Sequence, residues 1–178
     1  MLFAEGCIVA DPPEYRAPGQ TRPVLNMYSA VPTATQALVI DAASPNLATN
    51  FTVQVRSEDA GEPLSASFFL DYQIDPNFDE GVKGETNLSL QQLAASTYDN
   101  EGRFFKYPWV PGKEIKGCHF LTLIVAHSNR FLDNDQFHLN PATADDDAAL
   151  ATWTVNVVRT PADAGTLVNC PSREGPTP

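Results

Sequence analysis

In the stretch FTVQVR, Phe51, Val53 and Val55 alternate with Thr52, Gln54 and Arg56, the period of two that a strand shows when one of its faces is buried. ATWTVNVVR repeats the pattern more clearly. Ala151, Trp153, Val155 and Val157 fall on one side, with Thr152, Thr154 and Asn156 on the other. Ala66, Phe68, Leu70 and Tyr72 alternate less cleanly with Ser65, Ser67, Phe69 and Asp71. In GCHFLTLIVAH both parities are apolar: Leu121, Leu123 and Val125 share one face, and Phe120, Ile124 and Ala126 the other. That suits a central strand under extra cover, or one taking part in an interface. Weaker matches at 24–31, 37–41, 87–92 and 103–110 bring the count to about seven strands. The segment 87–96 also reads as a short helix. The pattern as a whole predicts an all-β fold, a two-sheet β-sandwich. Phe51, Val53, Val55, Phe68, Leu70, Leu121, Leu123, Val125, Trp153, Val155 and Val157 are expected to face one core.

The ends read differently. DPPEYRAPGQTRP carries Pro12, Pro13, Pro18 and Pro23, a density that favours an extended, polyproline-like tether of about 3.1 Å per residue. PSREGPTP, after Cys170, is too polar and Pro-rich to pack. The expected division is a tether over 1–23, a sandwich over 24–170 and a tail over 171–178, one domain within 178 residues.

Charge narrows the partners. Eleven Lys and Arg against 22 Asp and Glu leave a net charge of −11, a field that repels phosphate backbones and anionic headgroups. Nucleic acid is therefore not an expected partner. No run approaches the roughly 20 apolar residues of a membrane-spanning helix.

The turn before residue 117, the strand carrying Gly117, His119, Leu121, Thr122 and Val125, and the strand carrying Ala151, Thr152, Trp153, Val155 and Val157 resemble the last two strands of immunoglobulin-like and PKD-like domains of bacterial surface proteins. The resemblance implies an immunoglobulin-like sandwich on a cell surface. It departs from antibody domains, because the strand at 51–56 has no cysteine and Trp153 lies on the last strand. AEGC followed by the Pro-rich tether resembles the lipidation site of bacterial lipoproteins, which implies a lipid on Cys7 and membrane attachment through that lipid alone.

Of the other two cysteines, Cys118 opens a strand and Cys170 lies in a tail with no other anchor. Their pairing is expected, closing a loop of about 50 residues and stabilising by about 3–5 kcal/mol. It requires an oxidising compartment, hence an extracellular or cell-envelope location. The cysteine spacings fit no zinc pattern.

Motifs for a nucleophile elbow, a zinc protease, a P-loop and a dinucleotide site are absent from the sequence. His119 and His127 share a strand but lie about 26 Å apart along it, so they cannot bind one ion. The long connection 128–150 holds Asp133, Asp135, Asp145, Asp146 and Asp147, a set of oxygen donors suited to calcium. The competing reading has Thr143 capping a short helix with the last three aspartates in its first turn. Phe105, Tyr107 and Trp109 share one strand face, either as an exposed row that stacks on sugar rings or as core. Together these observations predict a non-enzymatic extracellular or envelope-anchored interaction module, engaging a protein or other copies of itself. The alternatives are a carbohydrate-binding module, calcium-stabilised through the acidic loop, and an enzyme with a carboxylate-based site.

Overall fold

The computed structural model describes residues 20–42, 48–59, 61–72, 86–94, 102–132, 135–139 and 147–159. The strands are β1 (Val24–Val31), β2 (Leu38–Asp41), β3 (Thr49–Arg56), β4 (Leu64–Leu70), β5 (Thr86–Leu93), β6 (Arg103–Trp109), β7 (Gly117–His127), β8 (Phe131–Leu132), β9 (Asp135–Leu139) and β10 (Ala149–Val158). A 3-10 turn, Ser128–Arg130, follows β7. The segment 87–96, which also suited a helix, contributes strand β5.

Two sheets carry the fold. One has the order β1-β3-β6 and the other β2-β10-β7-β4-β5, while β8 and β9 form a separate two-stranded ribbon. Among the described strands only β2 and β10 pair in parallel. Among the described residues the chain thus runs from one sheet in β1 to the edge of the other in β2, and returns with β3. The ribbon β8–β9 breaks up the acidic connection between β7 and β10.

The inward residues of both sheets meet in a single core, and all the positions expected from the period-two pattern belong to it. Six aromatic rings join the sheets across its middle. Phe51 and Phe68, on opposite sheets, lie 5.4 Å apart between centroids, and each also meets Trp153 edge-on. Phe68 packs against Phe105 and Tyr107, and Phe51 against Trp109. Tilted and edge-on contacts of this kind add to simple area burial because ring edges are positive and faces negative. The Trp153 indole N–H, which would be unsatisfied in an apolar core, donates to the carbonyl of Pro32 at 2.8 Å.

The second sheet is also buried on its outward side. Phe69, Ile124, Ala126 and Ala148 form a smaller apolar cluster there, with Tyr72 against it. Ser65, Ser67, Thr122 and Asn156 share that face and are at most 2 % exposed. β7 is therefore central and covered on both faces, which its two-sided apolar sequence requires. Asn156 and Ser67 have the polar parity of solvent-facing positions, yet both are fully buried.

Tyr107 bonds β6 to β5 where the two sheets meet, its hydroxyl donating to the carbonyl of Leu88 at 3.0 Å. Burial raises its phenol above the ordinary tyrosine value. The folded protein therefore holds that proton more tightly than the unfolded chain does. The stability this gives is complete below about pH 10 and is lost as pH rises through the higher folded-state value. Denaturant melts between neutral pH and about pH 11.5 should show wild type falling more steeply at the alkaline end than Tyr107→Phe. The variant should also lose about 1 kcal/mol at neutral pH with its hydrogen bond. Equal alkaline slopes would remove the phenol from the account.

Candidate functional site

β7 ends at His127, which has the parity of Leu121, Leu123 and Val125 and so points inward at one end of the sandwich. The ladder between β7 and β10 pairs Ala149 with Val125, and continuing it by two residues brings Asp147 opposite His127. The Asp147 carboxylate takes both polar groups on offer. Oδ1 lies 2.8 Å from His127 Nδ1, and Oδ2 accepts the His127 backbone N–H at 3.3 Å. Both side chains are almost wholly buried, with 1 % and 4 % of their surface exposed.

The other ring nitrogen faces a second carboxylate. Asp59 Oδ2, from the turn after β3, is 3.2 Å from His127 Nε2. The approach is off the line of a hydrogen bond, and Nε2 makes none. The same Asp59 oxygen accepts the backbone N–H of Thr21 at 2.7 Å and its hydroxyl at 3.0 Å. Arg22 Nε donates to the carbonyl of Ala148, beside Asp147, and Asn129 donates to Gln20 at 3.5 Å. The last residues of the expected tether are thus bonded to the end of the sandwich.

This cluster lacks the geometry of a hydrolase. A catalytic imidazole uses one nitrogen to activate a nucleophile while a carboxylate holds the other. Here carboxylates face both nitrogens and the ring has no access to solvent. The nearest hydroxyls in sequence and register are engaged elsewhere: Ser65 donates to Ser128 Oγ at 2.9 Å, and Ser128 Oγ lies within 3.3 Å of the Pro63 carbonyl and 3.1 Å of Gln92 Oε1.

A second histidine clasp closes the opposite end of β7. Asp71, in the left-handed region at φ 55°, accepts the Phe120 N–H at 2.9 Å and contacts His119 Nδ1 at 2.7 Å, while its own N–H donates to the Phe120 carbonyl. His119 Nε2 lies 3.1 Å from the Lys116 carbonyl. The two histidines hold opposite ends of one strand, as their spacing required.

The aromatic row does not face solvent. Phe105 is fully buried, Trp109 is 2 % exposed and Tyr107 is packed against the core, because β6 turns that face toward Phe68 and Phe51. The sugar-stacking reading of Phe105, Tyr107 and Trp109 is replaced by a core role, and Phe104 is the β6 aromatic at the surface, 48 % exposed. Of the proposed calcium ligands, Asp147 is committed to His127 and Asp135 begins β9. Asp133, Asp145 and Asp146 lie outside the described residues, as does Thr143. No three His, Cys, Asp or Glu side chains are placed to hold one metal ion among the described residues. Cys118 stands on β7 opposite Asn156, while Cys7 and Cys170 lie outside the described residues. Asp59 and Thr21 carry no sequence signal for the His127 site, since both reach it from distant segments.

The outward face of the β1-β3-β6 sheet is open. Register places Val24, Asn26 and Val31 of β1 beside Arg56, Gln54 and Thr52 of β3, and these beside Phe104 and Lys106 of β6. Val24, Val31 and Phe104 are about half exposed, and Tyr28 on the β1 edge is fully so. The Lys106 ammonium lies 5.7 Å from the centre of the Phe104 ring, a distance at which ring and cation attract. None of the outward-pointing residues is acidic. No known family model and no characterised protein matches the chain.

Proposed function

We propose that this chain is an immunoglobulin-like β-sandwich, similar to the immunoglobulin-like and PKD-like domains of bacterial surface proteins, that acts outside the cytoplasm as a non-enzymatic interaction module. Immunoglobulin-type sandwiches place their second and fifth strands in one sheet and their third, sixth and seventh in the other. With β3 and β6 in the first roles and β4, β7 and β10 in the second, the strand order here supports that reading. The location rests on Cys118 pairing with Cys170 and on Cys7 as a lipid-bearing residue at the end of the tether. Peptide mapping without reduction checks the pairing, and recovery of both as free thiols from the native source would sink it.

The observation that carries the function is the open face of the β1-β3-β6 sheet. In a chain of net charge −11, it joins exposed Val24, Val31 and Phe104 to Arg56 and Lys106 with no carboxylate between them. Copies of an acidic protein repel one another over most of their surface, and this is the face on which a second copy can settle. Sedimentation velocity over rising concentration should show self-association in wild type. Val31→Glu combined with Phe104→Glu should abolish it, with stability changed by less than about 1 kcal/mol because both side chains are at the surface. Wild type that stays monomeric throughout, or a double variant that associates as well as wild type, would overturn the reading.

A further inference from the structure

The open face of the β1-β3-β6 sheet carries charges that decide which surface of a second copy it can meet. Arg56 and Lys106 point outward from β3 and β6, both are exposed, and none of their outward neighbours is acidic. In an isologous contact a surface meets its own two-fold copy. Face against face would therefore gather the cations of both copies with no carboxylate to receive them, and like charges brought into one interface oppose association. A different surface, one that bears carboxylates, removes that repulsion.

Neither edge of this sheet offers a regular strand for pairing instead. On β1, Asn26 stands opposite Gln54 and Val31 opposite Thr52, so residues 27–30 face Val53 alone. Ser29 holds this bulge, its hydroxyl donating to the Asn26 carbonyl at 2.7 Å and accepting the Gln54 N–H at 3.1 Å. A bulged edge breaks the row of N–H and C=O groups that an incoming strand needs. On β6, the Lys106 N–H donates to Gln91 Oε1 at 3.5 Å, and Pro108, at the same parity, has no N–H to give. The sheet is left to bind through its face.

The complementary surface lies at the end of the sandwich where β3 turns into β4. Glu58 and Glu62 are both exposed there. Their turn is fixed by the Asp59 N–H donating to Ser57 Oγ at 3.2 Å, by the Glu62 N–H donating to the Asp59 carbonyl at 3.3 Å, and by the Asp59 carboxylate bonded to Thr21. A turn held in this way presents its carboxylates at a reduced ordering cost on binding. The connections 94–102 and 128–148 leave from the same end, since Leu64 at the start of β4 stands opposite both Leu93 and His127. Their sequence carries Asp99, Glu101, Asp133, Asp145 and Asp146 against Arg130 alone. The other exposed carboxylates among the described residues are poorer candidates, because Glu114 lies between Lys113 and Lys116 and Asp41 is engaged within the chain.

We propose, resting on the self-association described above, that copies join head to tail: the open face of one copy, through Arg56, Lys106 and the apolar side chains around them, takes the end of the next copy that carries Glu58 and Glu62. Val24, Val31 and Phe104 supply the area removed from water, and the charges set the orientation. Each copy keeps one face and one end for its neighbours, so the contact repeats from copy to copy.

Complementation between two double variants of the full chain tests this contact. Val31→Glu with Phe104→Glu disables the face and keeps the end, whereas Glu58→Lys with Glu62→Lys disables the end and keeps the face. In sedimentation velocity, wild type should grow beyond a dimer as its concentration rises. The end variant alone should associate at least about tenfold more weakly, although its net charge is reduced from −11 to −7 and a general relief of repulsion would strengthen association. Glu58→Gln with Glu62→Gln, a milder change at the same turn, should weaken association in the same direction. Mixed in equal amounts, the face and end variants should give a one-to-one dimer and nothing larger, since one intact face and one intact end remain. Denaturant melts of both should match wild type, because all four positions are exposed. Wild type that stops at a dimer would overturn the head-to-tail contact and leave the open face as the interface. So would mixed variants that melt as wild type does yet stay monomeric, or a Glu58 and Glu62 variant that associates as tightly as wild type. Wild type that stays monomeric throughout would remove the open face itself.

Discussion

Trp153→Ala is expected to destabilise the protein by about 3–5 kcal/mol in denaturant melts, comparable with the whole stability of many domains. The indole is fully buried and meets Phe51 and Phe68 edge-on, so its removal leaves a cavity at the junction of the two sheets. It also leaves the Pro32 carbonyl without its donor. Thr154→Ala, one residue along β10 and on the opposite face, is expected to lose about 1 kcal/mol or less, since that side chain is only half-buried. A Trp153→Ala loss no larger than that of Thr154→Ala would mean that the aromatic cluster does not organise the core.

The contrast between these neighbours is what the period of two encodes, and it explains which parts of the fold were legible. Phe51, Val53 and Val55 read correctly because their burial depends only on which sheet face they occupy. Ser67 and Asn156 read incorrectly as solvent-facing, because the cover over the second sheet's outward side comes from parts of the chain that local alternation does not register. The two-sided apolar run of β7 was the one local sign of that cover. For Phe105, Tyr107 and Trp109 the shared face was legible, but whether that face met solvent or Phe68 depended on how the sheets stack. β5 was ambiguous for a similar reason: TNLSLQQL alternates for a few residues and also suits a helix, and pairing with β4 decides between them.

The His127 site shows a sharper limit. In the ladder between β7 and β10, once Trp153 is opposite Leu121, Asp147 must come opposite His127. The connection 128–150 is too long for its turn chemistry to fix that register in advance. Asp147 therefore read as one of several acidic loop residues, grouped with Asp145 and Asp146 by sequence proximity. Its partner lay 20 positions away. Asp59 and Thr21 were still less accessible, being joined to each other across 38 positions.

Asp147→Ala should expose how strongly that register is held. The substitution removes the acceptor of the His127 ring and of its backbone N–H together, in a site where neither can turn to water. Each buried donor left without its acceptor typically costs about 1–3 kcal/mol, and here two are stranded at once. Asp147→Asn keeps a carbonyl oxygen for Nδ1 and should lose less. Asp59→Ala should also lose less, about 1–2 kcal/mol, because its contact with Nε2 is not a hydrogen bond and its side chain is partly exposed. Chemical denaturation of the three variants at one pH gives the ranking. If Asp147→Ala were tolerated with a loss below about 1 kcal/mol, the ring and the β7 terminus would have to find other acceptors. The paired arrangement of Asp147 and His127 would then not hold the end of the sandwich together.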